Sequence, residues 1–129
     1  MLYAILCYDR EDEVYAWSKD EDAACMARLG AVQDRMAAQG RMGPSARLVP
    51  TTAAVTLRKA KDDVVLDGPF AETKEQLLGF YICEADDLEG AIAFARELAR
   101  ANPDNGAYEI RPVGLYNDRP APDPARSAA

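Results

Sequence analysis

Asp67-Gly68-Pro69-Phe70-Ala71-Glu72-Thr73-Lys74-Glu75-Gln76 is the most unusual stretch of the chain. Its glycine and proline fix a rigid turn, and Asp67, Glu72 and Glu75 crowd around the cation of Lys74. Carboxylates gathered in this way could raise one another's pKa until one carries protons near neutral pH. A structural reading competes with that chemistry. Asp67 would accept backbone N–H bonds within the turn, Phe70 would plug the core, and Glu72, Lys74 and Glu75 would form a solvated helical face. Away from the turn, Arg47 could pair with a substrate carboxylate or with a surface acid. Tyr81 could act as a phenolic acid or point its ring into the core. Trp17 either closes over a cleft as a lid or packs as a staple on the first helix, and Lys59 and Lys61 read as solvated charges.

Absent residue types narrow the chemistry further. The chain has no histidine, which removes histidine bases, histidine metal ligands and the usual Ser/His or Cys/His nucleophile pairs. Cys7, Cys25 and Cys83 are odd in number and form no CxxC, a poor fit to a disulfide framework. Cys7 and Cys83 read as small apolar residues in strands. With the thiols expected inside and the acids lacking a metal-loop spacing, no metal site is expected. No phosphate cradle or dinucleotide fingerprint is present, so no cofactor is expected. Acids outnumber bases 22 to 15, for a net charge of -7, and no basic patch offsets them. Nucleic acid and membrane surfaces are therefore not expected partners. The eight apolar residues Met1–Tyr8 follow no basic residue and are too few for a signal or a span, so a cytoplasmic protein is expected.

The elements that must position these groups can be read from pattern. At 129 residues the chain suits one domain with a real core. Leu2–Tyr8 is apolar throughout and reads as a strand covered on both faces. Residues 9–19 read as a loop. Ser18-Lys19-Asp20-Glu21 has capping-box spacing and opens a helix whose stripe is Cys25, Leu29, Val32 and Met36, stopped at Gly40 and Gly43-Pro44. Ala53–Arg58 and Asp63–Leu66 form a hairpin, and Asp67–Phe70 leaves it. Thr73–Gln76 reads as a short helical turn. Gly79–Glu84 is a strand with Phe80 and Ile82 on one face and Tyr81 and Cys83 on the other. Asp86 caps a second long helix, which buries Leu88, Ala91, Ile92, Ala95 and Leu98 and ends at Asn102-Pro103. Tyr108–Val113, which includes Pro112, reads as an edge strand. Residues 117–129 form a mobile tail rich in proline and alanine.

Two helices set between strands of a mostly antiparallel sheet give an α+β, ferredoxin-like βαββαβ-type protomer. Both helices lie on one face of that sheet, yet the strands are apolar on both. A second copy packed sheet against sheet is the expected cover, giving a homodimer with an apolar space inside.

The run DGPFAETKEQLLGFYI closely resembles the signature of the DGPF proteins within the YCII-related family. LYAILCYD, QGRMGP, AVTLRKAKDDVVL and YEIRPV fall in matching order, so the resemblance spans residues 1–116. It implies a dimeric α+β barrel with the motif turn close to a cleft. Carried onto this chain, the cleft residues are Asp67, Gly68, Pro69, Phe70, Glu72 and Glu75, with Asp67 and Glu72 as the catalytic candidates. Tyr8 and Asp9 join them because strand ends commonly border clefts, and Arg47 and Tyr81 are further additions. The wider group resembles muconolactone isomerase-like barrel enzymes with a His–Asp active pair, which a chain without histidine cannot form. DGPF relatives are often encoded beside, or fused to, extracytoplasmic-function sigma factors. Two readings follow: a small-molecule site with carboxylate-assisted proton transfer, isomerisation or elimination, and a non-catalytic module acting beside such a sigma factor.

Overall fold

The computed structural model describes residues 1–103 and 105–124. Its first strand, β1 (Leu2–Asp9), holds an interior position in a four-stranded sheet, as an apolar run with Ile5 and two tyrosines should. The sheet runs β2 (Met42–Arg47), β5 (Gln76–Glu84), β1, β6 (Ala107–Pro112), with every neighbouring pair antiparallel. Between the second and fifth strands in sequence, β3 (Val55–Arg58) and β4 (Val64–Asp67) form a separate two-stranded hairpin. With that hairpin set aside the order is βαββαβ with β1 and β5 central, the ferredoxin-like arrangement.

Two long helices supply the cover. In α2 (Lys19–Ala38) the hydroxyl oxygen of Ser18 accepts the Glu21 N–H at 3.1 Å, and the chain turns away at Gly40, whose φ is 70°. In α3 (Leu88–Ala101) the cap is Asp87, accepting the Gly90 N–H at 2.9 Å, one residue later than the Asp86 expected from the sequence. Cys25, Leu29 and Val32 of α2 and Ala91, Phe94, Ala95 and Leu98 of α3 pack with Tyr3, Ile5 and Cys83 of the sheet. Tyr81 meets Phe94 edge-on, with ring centroids 6.4 Å apart.

Three local expectations are corrected. Gly43-Pro44 is not what stops α2, which already ends at Ala38; the pair lies inside β2, which occupies the sheet edge and shifts register between Met42 and Ser45. An edge position tolerates a proline without an N–H to donate. The β-strands either side of residues 59–63 consequently form an insertion outside the βαββαβ unit. Thr73–Gln76 is not helical. There the Gln76 side chain donates to the Thr73 carbonyl at 2.6 Å, the Thr73 hydroxyl bonds the Glu75 carbonyl, and β5 begins at Gln76. Residues 9–19 contain a short helix, α1 (Glu11–Val14), and a 3-10 turn covers Thr51–Ala53.

Residue alternation places Tyr3, Ile5, Tyr81 and Cys83 under the helices and Leu2, Ala4, Leu6, Phe80 and Ile82 on the opposite face. Neither α2 nor α3 covers that second face, where these five are only half-buried. The hairpin also exposes Val55, Leu57, Val64, Val65 and Leu66. Residues 117–123 form neither helix nor strand, and the 125–129 part of the expected mobile tail lies outside the described residues.

Candidate functional site

Strand register explains where the interior is not filled. Arg47 stands opposite Gly79, Gly79 opposite Cys7, and Cys7 opposite Tyr108, so one row across the helix-covered face reads Arg47, Gly79, Cys7, Tyr108. The adjacent row reads Ser45, Tyr81, Ile5, Ile110. Large side chains fill the centre of the second row, whereas glycine and cysteine leave the centre of the first nearly bare. Over that bare centre lies a cavity of about 400 Å³, within the range of small-ligand pockets. Met26, Leu29 and Gln33 of α2 form one wall, Val14 and Trp17 a second, and Asn105 and Gly106 a third.

At the cavity the sheet is irregular. Cys7 pairs with Gly79 but Tyr8 with Leu77, so Leu78 is an extra residue in β5. Such a bulge increases the local twist and turns the strand ends. The Leu78 carbonyl accepts the Leu48 N–H at 2.8 Å, keeping β2 attached beyond its last ladder residue.

Asp9, at the end of β1, is the buried charged residue among those described, with 8% of its surface exposed. Its Oδ1 accepts the Arg10 N–H at 2.7 Å. Burial pushes the Tyr81 phenol up to about 12 and the Cys7 thiol up to about 12. Burial, then the neighbouring ionisable groups including Asp9, also drives the Tyr108 phenol upward. At neutral pH the thiol and both phenols therefore keep their protons, so they are donors rather than bases.

Arg47 marks the opposite side of the cavity. Its Nη1 reaches both oxygens of Asp22 in α2, at 3.0 and 3.3 Å, and its guanidinium lies 5.5 Å from the centre of the Tyr15 ring. Burial opposes the charge, but the Asp22 hydrogen bond and its field raise the guanidinium pKa above the ordinary value. The Tyr15 hydroxyl in turn donates to the Leu48 carbonyl at 2.7 Å. The α1 segment that carries Tyr15 and Trp17 is tied across the sheet end by Glu11. That carboxylate accepts the Thr51 N–H at 3.0 Å and the Thr51 hydroxyl, and the Glu11 N–H donates to Gln76 Oε1 at 3.0 Å.

Of the residues singled out in the sequence, Tyr8, Asp9, Arg47 and Tyr81 meet at this cavity. Asp67, Gly68, Pro69, Phe70, Glu72 and Glu75 do not line it in the protomer. They follow the hairpin instead. Gly68, at φ 101°, donates to the Ala54 carbonyl at 2.8 Å, and its own carbonyl accepts the Thr56 hydroxyl at 2.8 Å. Phe70 does not plug the core: the residue is 72% exposed, and the Arg58 guanidinium lies 4.9 Å from the centre of its ring. Asp67, Glu72 and Glu75 are all exposed, and among the described residues no ion pair joins them to Lys74. Tyr108, Gly106 and Gln33 belong to the cavity but were not singled out. Their signal is the pairing of β6 with β1 and the α2 face turned toward β2, both tertiary facts. Among the described residues no cluster of His, Cys, Asp or Glu could hold a metal ion, and no helix is long and apolar enough to cross a membrane.

An antiparallel, ferredoxin-like sheet roofed by two helices, with a ligand-sized cavity between the layers, defines a class of small α+β proteins. Within that class the family is clear. A sequence model of the YCII-related domain matches residues 1–116, and the chain belongs to the YCII-related family. An uncharacterized protein of Rhizobium meliloti (strain 1021) is 57% identical over 117 residues, covering 90% of this chain and 94% of that relative.

Proposed function

We propose that the cavity binds a small organic molecule and that Asp9 exchanges a proton with it. In the simplest step Asp9 takes a proton from a carbon next to a carbonyl, the C–H electron pair shifts into the conjugated system, and the proton returns at another carbon. The observation that carries this reading is a carboxylate that is 8% exposed at the edge of a cavity with largely apolar walls. Burying such a group is costly, and side chains kept at that cost concentrate at functional sites. Tyr81 and Tyr108, protonated at neutral pH, stand beside the cavity as donors for a developing oxyanion.

The exposed apolar surfaces support a homodimer, with the uncovered sheet face packed on its copy as a dimeric α+β barrel. In this reading the Asp67–Phe70 turn, the mark of the DGPF subgroup, shapes the hairpin and the assembly rather than the protomer's cavity. The exposed hairpin also favours a second reading, an interaction module beside an extracytoplasmic-function sigma factor. Co-purification with such a factor in place of self-association would select it.

Trp17 is the single tryptophan and lines the cavity, so its fluorescence reports binding. Compounds that bind are then incubated in heavy water and followed by NMR for deuterium uptake. Asp9→Asn is expected to bind but not exchange, while Asp67→Asn and Glu72→Gln exchange at the wild-type rate. Undiminished exchange in Asp9→Asn overturns the assignment.

A further inference from the structure

The cavity is polarised, and its two poles name a ligand class. On the β1 and β6 side stands the Asp9 carboxylate. On the β2 and α2 side stand Arg47, Ser45 and Gln33. Ser45 and Arg47 alternate onto the same face of β2, opposite Tyr81 and Gly79. The Ser45 hydroxyl donates to Gln33 Oε1 at 3.0 Å, which engages the oxygen of that amide and keeps its NH₂ as the donor end. Arg47 is fixed on two sides, by the Tyr15 ring and by Asp22. Asp22 is held through Nη1, and it does not occupy the Nε–Nη2 edge, the geometry that grips a carboxylate bidentately. Between the poles the row is Gly79 and Cys7, roofed by Leu29 and Trp17, and that span is apolar.

Resting on the reading of this cavity as a ligand site, we propose that Arg47, with Gln33, is an anion subsite and that the ligand is an organic acid. Its carboxylate lies at β2 and its apolar body crosses Gly79 and Cys7 toward Asp9. Arg47 and Asp9 stand on strands two spacings apart, roughly 10 Å, which a carboxylate on a ring-sized body bridges once the side chains reach inward. The net charge of -7 sharpens the requirement. An acidic protein repels organic anions everywhere except at a placed cation. Asp22 is then a competitor for the same guanidinium and sets how tightly the acid is held.

The test compares 3-phenylpropanoate with the neutral 3-phenylpropan-1-ol, by calorimetry and Trp17 fluorescence on the full chain. The acid is expected to bind at least about tenfold more tightly than the alcohol. Arg47→Met should erase that preference, so that acid and alcohol bind alike, and Arg47→Lys should restore part of it. Asp22→Asn should raise the acid's affinity several-fold and leave the alcohol's alone. Equal binding of acid and alcohol to the wild-type chain, or a preference that survives Arg47→Met, overturns the anion subsite and leaves the cavity reading standing. Failure of both probes to bind overturns both.

Discussion

Gly106 stands directly against Asp9. A Cβ at position 106 would lie 3.0 Å from Asp9 Cγ and 2.5 Å from the Tyr8 carbonyl oxygen. Gly106 also holds a φ of 116°, where side chains are strained whatever the space around them. The turn into β6 therefore fixes the buried carboxylate, and only a residue without a side chain can do so. Gly106→Ala is expected to cost about 1–3 kcal/mol in urea unfolding and to weaken ligand binding at the cavity. Wild-type stability and wild-type binding in this variant would remove Gly106 from the site's support.

The buried thiol and phenols make the fold sensitive to alkali. The folded chain holds the Cys7 proton up to about 12 against an ordinary 9.0, and Tyr81 up to about 12 against 10.0. Cys83 and Tyr108 shift in the same direction, chiefly through burial. Above the unfolded values the unfolded chain binds fewer protons than the folded one, so stability falls as pH rises. The contribution is fully present below about pH 9 and is lost between there and about 12. Thermal melts should be level in this respect through pH 8 and drop steeply above 9. At pH 8 a thiol reagent should label Cys7 slowly in the folded protein and all three cysteines rapidly in denaturant.

Where local chemistry decides, the sequence was readable. The Ser18 cap, the Gly40 stop and the split of Phe80 and Ile82 from Tyr81 and Cys83 each follow from neighbours within four residues, and each is present in the fold. What long-range pairing decides was not. Gly43-Pro44 hides β2, because an edge strand carries no two-sided apolar pattern and tolerates proline. The crowding of acids after Asp67 suggested a site by density, and the resemblance of the motif turn pointed to the same place. The buried carboxylate is Asp9, which the sequence marks only by its place at the end of a strand, with nothing local to tell of its burial. It is set apart by a glycine 97 positions later in the chain (106 − 9), placed beside it by the register of β6 on β1.

Association is expected through the sheet face opposite the helices. Leu6 pairs with Phe80 and Ala4 with Ile82 on that face, and each is half-buried without a helix above it. Light scattering on the purified chain should return twice the 14.1 kDa of one copy. Leu6→Glu places a charge at the centre of the face and should yield a folded monomer, because Leu6 makes no part of the core under α2 and α3. A wild-type monomer at micromolar concentration would leave this face without its proposed cover.

The Glu11–Thr51 contact is expected to set the position of Trp17. Glu11 opens α1 and accepts both the Thr51 N–H, at 3.0 Å, and the Thr51 hydroxyl, while Trp17 follows three residues after the end of that helix with its N–H bonded to the Val14 carbonyl at 3.3 Å. Along this strap Val14 is buried, Tyr15 is exposed and Trp17 is part-buried against the core. Polar ties at Glu11 add to that packing, and removing the acceptor leaves the part-buried Thr51 N–H unsatisfied. Glu11→Ala should cost about 1–3 kcal/mol and shift Trp17 emission to the red as the ring meets more water. Thr51→Val, which keeps the backbone bond and loses only the hydroxyl, should produce a smaller shift in the same direction. Far-UV circular dichroism of both variants should match the wild type, since α2 and α3 rest on their own core. An unshifted emission spectrum in Glu11→Ala would mean that Trp17 is held by packing on α2 alone, and that the cavity wall it forms is part of the core rather than a strap.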